Sequence, residues 1–248
     1  ATITLNRPER RNAFTPDMFD AWIAALEESQ ARDDVNVVII TGAGTAFCSG
    51  GDVKAMGERE FNALEEKNYL WENLNRLPLT MEMMDKPVIA AVNGPAAGAG
   101  MDAALMCDIR FAGQSAKFAE AYVKVGLLSG EGATWYLPRL VGLGKAFEML
   151  WLGDFVDADE AYRIGLVNAV FPDDELMDKV REIAARIANG PSLSIRMLKR
   201  MVYQGAKMDV RTHLDMTSSH MSIIRKTEDY KNAVKAFANK EKPVFKGK

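Results

Sequence analysis

Apolar positions along this chain change period several times, and each change marks an element. Ala1 to Leu5 is a short run rich in β-branched residues, whereas Val35 to Thr41 and Pro87 to Val92 are nearly unbroken apolar runs of strand length. Runs of that kind predict strands covered on both faces, as in a parallel sheet. Asp108 to Ala112 and Leu166 to Phe171 read as two more strands. Helical spacing governs the stretches from about Pro16 to Gln30 and from about Ala97 to Met106. Strands alternating with helices predict an α/β fold with β-α-β crossovers.

Beyond Phe171 the strand signals stop. Four helical segments are expected, near Asp173 to Ala188, Ser192 to Gly205, Val210 to Arg225 and Thr227 to Lys240. The shift in composition at Gly190-Pro191 divides the chain into an α/β core, residues 1–190, and a helical region, residues 191–248, able to cover a site or build an oligomer interface. Neither a fixed-period repeat nor a low-complexity tract occurs.

Composition narrows the partners. With 248 residues, 48% hydrophobic, and a formal charge of -3, the chain has a large core and no bulk attraction to nucleic acid. No apolar run reaches the ~20 residues needed to cross a bilayer, so no membrane partner is expected. Cys48 and Cys107 form no disulfide framework or zinc spacing, and no metal site is expected. His213 and His220, both in the Met-rich helical end, supply little material for a histidine triad. A reducing, cytoplasmic setting fits, and a removed targeting peptide ahead of Ala1 is compatible with it.

The chemistry concentrates in two glycine-rich turns. Thr41-Gly42-Ala43-Gly44 through Ser49-Gly50-Gly51-Asp52-Val53-Lys54 leaves one buried strand, and Asn93-Gly94-Pro95-Ala96-Ala97-Gly98-Ala99-Gly100 leaves the next. Either turn alone could be purely structural, and a nucleotide-phosphate loop is a second candidate. The dinucleotide fingerprint fails, because Gly42-Ala43-Gly44 lacks its third glycine, and no Walker-type lysine follows. Two small-residue turns, each entering a helix, suit a pair of backbone N–H donors aimed at one developing negative charge.

Four segments in order carry a family resemblance: Leu5-Asn6-Arg7-Pro8 with Arg11-Asn12-Ala13, Phe47 to Asp52, Asn93 to Gly100, and Leu137-Pro138-Arg139-Leu140-Val141-Gly142. Together they resemble the crotonase (enoyl-CoA hydratase/isomerase) superfamily over essentially the whole chain. The resemblance implies a spiral of β-β-α units with a C-terminal helical trimerisation region, assembled as a homotrimer or a dimer of trimers. It implies an acyl-CoA thioester substrate, with coenzyme A part of that substrate and no other cofactor. It implies that the N–H groups of Gly51 and Ala99 form an oxyanion hole. It further places Ser49 and its neighbours, Asp52 among them, at the adenine, Arg11 and Lys54 near the CoA phosphates, and Phe237 and Lys240 where they complete this pocket from the same or a neighbouring subunit.

The acid/base residues depart from the hydratase pattern. Hydratases of this family use two glutamates, and the first position here holds Asp102, one helical turn past Ala99. Tyr122 stands at the second, counted among the substrate-contacting residues, and a phenol is a poor base at neutral pH. Glu120 is left without a role. Glu131 sits one position beyond the place where several isomerases and a related dehalogenase carry a working carboxylate, although a helix N-terminus would also favour an acid there. Asp102 and Glu131 are the expected catalytic pair. Met81-Glu82-Met83-Met84 is expected to pack a core or line an acyl pocket; Tyr69, Trp71 and Trp135 read as packing residues within possible reach of an acyl group. Hydration of a 2-enoyl-CoA is the leading activity, double-bond isomerisation the alternative, and non-catalytic acyl-CoA binding the third.

Overall fold

The computed structural model describes residues 1–51 and 60–248. Five parallel strands form the main sheet: β1 (Thr2–Leu5), β2 (Val38–Gly42), β3 (Val88–Val92), and two later ones, Ile109–Gly113 and Ala169–Phe171, in that spatial order. A smaller sheet joins β4 (Ala96–Ala97), β6 (Lys117–Ala119) and β7 (Val156–Asp157), while Ile109–Gly113 and Ala169–Phe171 of the main sheet are β5 and β8. All five expected strands form, some shorter than their apolar runs.

Alternation explains how the main sheet is covered. Val38, Ile40, Val88, Ala90 and Val92 join the larger core, while Val37, Ile39, Ile89, Ala91 and Phe111 meet Leu176, Val180 and Ala184 on the opposite face. Helix α1 (Pro16–Ala31) closes the first face with Phe19, Trp22, Ile23 and Leu26, a helical i, i+3, i+4, i+7 stripe. Its start is fixed by Pro16 at the first position and by the Thr15 hydroxyl, which accepts from the Met18 N–H.

The chain then forms α2 (Ala63–Tyr69), a π-helical turn (Leu70–Leu74) and α3 (Arg76–Met83). Between β4 and β5 lies α4 (Ala99–Leu105), buried throughout. A 3-10 turn (Ala121–Val125) follows β6, and α5 (Ala133–Val141), α6 (Leu143–Leu152) and α7 (Ala158–Arg163) complete the core before α8 (Leu176–Ala188).

The helical end comprises α9 (Ser192–Gly205), α10 (Val210–Ile224) and α11 (Glu228–Ala238), close to the expected boundaries. Asp229 is their one buried residue. Helix α9 is held by charge instead: Arg196 and Arg200 both reach Asp85, while Lys199 pairs with Asp108 at 2.8 Å and the Tyr203 hydroxyl donates to the same carboxylate at 2.9 Å. Asp108 also accepts from the Val88 N–H, so the helix is tied to the start of a central strand. No helix among the described residues is long and apolar enough to cross a membrane.

Candidate active site

Backbone hydrogen bonds zip the two glycine-rich turns together. The Cys48 N–H donates to Pro95 O at 3.2 Å, and the Ala97 N–H donates to Cys48 O at 3.0 Å. Approach is so close that a Cβ on Gly50 would lie 2.7 Å from Ala97 O and 3.4 Å from Ala99 N. Gly50 itself has φ +96, a conformation that L side chains rarely adopt.

A fully buried Asn12 braces the first turn from outside. Its amide donates to the carbonyls of Ala43, Ala46 and Phe47, and its Oδ1 accepts from the Arg7 N–H. That bracing explains why the Asn belongs to the N-terminal motif, a structural role the sequence reading did not assign. Ser49 lies next to this junction, its N–H donating to Arg11 O. Neither the Gly51 N–H nor the Ala99 N–H has an acceptor among the described residues; Ala99 opens α4, where the helix itself supplies none.

One turn further along α4, Asp102 is completely buried. The Tyr122 hydroxyl lies 2.7 Å from Asp102 Oδ2 and makes a second, very short contact with Glu131. A phenol has one proton, so it can donate to only one of two carboxylates. Both contacts are satisfied as hydrogen bonds when one carboxyl keeps its own proton and donates it to the phenol oxygen. Ser129 adds a 3.2 Å contact to Asp102 while its Oγ accepts from the Ala133 N–H at 2.9 Å, linking the acid to the first residue of α5. The Tyr122 ring would be 3.7 Å from a Cβ on Gly98, so the phenol rests against the second glycine turn.

Burial sets the electrostatics. Desolvation, then the Glu131 charge, pushes the Asp102 carboxyl up to about 8, opposed by its bond from Tyr122. Desolvation also raises Glu131, and it holds Tyr122 as a neutral phenol. Glu120 completes the group. Its carboxyl is buried with neither oxygen hydrogen-bonded, and its proton affinity is raised well above the usual range, first by desolvation and then by Asp102 and Glu131. In a strand of period two Glu120 and Tyr122 would share a face, so the position of Glu120 depends on where the strand ends. The strand in fact ends at Ala119, and Glu120 leads into the 3-10 turn that carries Tyr122.

A carboxyl whose proton affinity rises on folding stabilises the protein below its unfolded value, and that contribution fades as pH rises toward the folded one. Glu120→Gln is therefore expected to flatten the fall in stability above about pH 4.5, removing a slope of up to about 1.4 kcal/mol per pH unit. Urea midpoints across pH 4 to 9 measure it. An unchanged slope would mean that Glu120 ionises alike in both states.

A cavity of about 510 Å³ opens beside Glu131, with Trp71, Leu79, Met81, Met106 and Trp135 among its walls. Met81 and Met84 are buried, whereas Met83 is mostly exposed. Asp102 stands behind Glu131 and does not line this space. The other expected binding residues are scattered: Arg11 is exposed, and Phe237 and Lys240 lie on and just after α11, Phe237 at 85% exposure. Asp52 and Lys54 lie outside the described residues. Among the described residues, no cluster of three metal-ligating side chains occurs.

The model of the enoyl-CoA hydratase/isomerase family matches residues 1–248. The chain belongs to that family. It is 37% identical to a short-chain-enoyl-CoA hydratase of Clostridium acetobutylicum, over 98% of this chain and 92% of that protein. It is 34% identical to the 1,2-epoxyphenylacetyl-CoA isomerase of Escherichia coli, over 100% and 95%. The crystal structure of an enoyl-CoA hydratase from Bacillus anthracis superposes with a TM-score of 0.93 at 32% identity, covering 100% of this chain and 95% of that one. The expected crotonase fold is therefore present, and both lyases and isomerases occur among the relatives of this family member.

Proposed function

We propose that this family member adds water to a 2-enoyl-CoA thioester, using Glu131 and Asp102 as base and acid and Tyr122 as the relay between them. The hydrogen-bonded chain Asp102–Tyr122–Glu131 carries this reading. Asp102, the deeper group, keeps a proton at neutral pH, and Glu131, at the cavity wall, is the carboxylate.

In the forward direction Glu131 takes a proton from water as the water oxygen bonds to C3. The C2–C3 π electrons move toward the thioester, and its oxygen becomes an enolate oxygen held by the N–H groups of Gly51 and Ala99. Each such donor is typically worth roughly 2.7–4 kcal/mol at the transition state. The phenol then passes a proton to C2 while taking the one on Asp102. Transfer from Glu131 back through Tyr122 restores the starting state, and the net change is one water added. The scheme runs on protein groups and the thioester, with coenzyme A as the handle.

Ser49, Arg11, Asp52 and Lys54 are proposed to receive the CoA moiety, with Phe237 and Lys240 closing its pocket. The helices of residues 191–248 are proposed as the assembly surface of a trimer or a dimer of trimers, which sedimentation of the purified protein tests. Isomerisation is the second reading, because Tyr122 replaces the second hydratase glutamate and the family includes enoyl-CoA isomerases as well as hydratases. Incubation with a 2-enoyl-CoA is expected to abolish its conjugated-thioester absorbance. Gain of that absorbance from a 3-enoyl-CoA, with no loss from the 2-enoyl ester, would replace hydration by isomerisation.

A further inference from the structure

We infer that the cavity beside Glu131 selects an extended, uncharged apolar acyl group rather than a four-carbon one. The inference rests on the acyl-CoA reading above and concerns what the acyl end must look like.

Four separate segments build the cavity, Met106 at the end of α4 among them. The π-helical turn and α3 supply Trp71, Leu79 and Met81; the start of α5 supplies Trp135 and Tyr136; α9 closes the side with Tyr203. A π turn shifts side chains out of the regular helical register and recurs at functional sites. Trp71 within this turn and Asn75 just after it both line the space. The space is connected to the chemistry by Glu131, flanked by Gly130 and Gly132, and a Cβ on Gly130 would meet nothing within 4 Å.

Size and polarity then identify the occupant. A group the size of a water takes roughly 30 Å³, so four acyl carbons fill roughly a quarter of the 510 Å³ present. Pockets of this size hold whole drug-sized ligands. The walls are aromatic and thioether-rich, and methionines adapt to irregular apolar shapes. The charged groups on the rim, Glu82 and Lys207, are paired with each other at 2.8 Å. That pair is self-neutralised and, among the described residues lining the cavity, leaves no free cation for a second carboxylate on the acyl group.

Saturated acyl-CoA esters test the inference without requiring turnover. Each buried methylene is worth about fourfold in affinity, so octanoyl-CoA is expected to bind on the order of a hundredfold more tightly than butyryl-CoA, measured by calorimetry. A 3-phenylpropanoyl-CoA arm separates an arylalkyl from a linear preference; tighter binding of either than of butyryl-CoA supports the extended apolar class. A ratio within about threefold of unity, against the per-methylene gain, overturns it. So does tighter binding of the ω-carboxylated eight-carbon ester. Leu79→Asp, which puts a charge on the wall, is expected to lower the octanoyl-to-butyryl ratio at least about tenfold, since the longer chain alone must meet it. If the esters bind in this order but no 2-enoyl-CoA is turned over, the proposed reaction fails and the acyl preference stands.

Discussion

Replacing Glu131 by Gln is expected to lower turnover of a 2-enoyl-CoA by about 10²–10⁴-fold, the usual contribution of a positioned general base. The amide keeps the size of the side chain and can still contact Tyr122, but it cannot take the proton from water. Substrate affinity is expected to change little, because the loss falls on the reacting state rather than on binding. Asp102→Asn is expected to fail to a similar extent, with a different cause: the phenol loses the group that reloads it. If the two groups work through one relay, the double variant should be little worse than either single one. Measured kcat values for the three variants decide the matter. Near-normal turnover in Glu131→Gln would remove Glu131 from the mechanism. Multiplied defects in the double variant would separate the two carboxyls into independent roles.

Part of this site was legible in the sequence for identifiable reasons. The glycine turns stand out because only a residue without Cβ tolerates φ +96 at Gly50 or the approach to Ala97. The main strands stand out because both of their faces are covered, which leaves apolar runs such as Val37 to Ile40. Asp102 and Glu131 were legible as candidates through the family pattern, but their connection was not. It depends on Tyr122, read as a break in the hydratase pair, and on the 3-10 turn that aims the phenol between the two acids.

What the sequence could not reveal depends on contacts between distant segments. Ser129 reads as an ordinary loop residue, yet it joins Asp102 to the start of α5. Asp85 and Asp108 lie on either side of β3, and nothing local indicates that Arg196, Lys199, Arg200 and Tyr203 will settle on them. That clamp has a consequence for the site, because α9 and the turn after it form one wall of the cavity through Tyr203 and Lys207. The cavity is therefore a product of tertiary docking, with walls from residues 71 to 207. Period and composition can name its aromatic residues, but they cannot place them around a common space.

Gly100→Ala is expected to abolish most activity, and the sign of its effect on stability distinguishes the reason. Gly100 lies inside α4, where helix propensity alone would favour alanine by about 0.8–1.0 kcal/mol. Its surroundings forbid that gain. A Cβ there would fall 2.1 Å from the Cys48 carbonyl oxygen and 2.6 Å from its carbon, and both are backbone atoms that no rotamer change can move aside. The first turn must then withdraw from α4, and the bond from the Ala97 N–H to Cys48 O is the nearest one to stretch. Such a movement parts Gly51 from Ala99, the two proposed donors to the enolate oxygen. Loss of one donor commonly costs about 10²–10³-fold in kcat, so a fall of at least that size is expected, together with a lower melting temperature. Asp102 and Glu131 keep their side chains in this variant, so residual proton exchange at C2 of a bound ester should fall in parallel with turnover. Normal kcat with a raised melting temperature would show that the two turns can separate without harm, and the oxyanion assignment would then be lost.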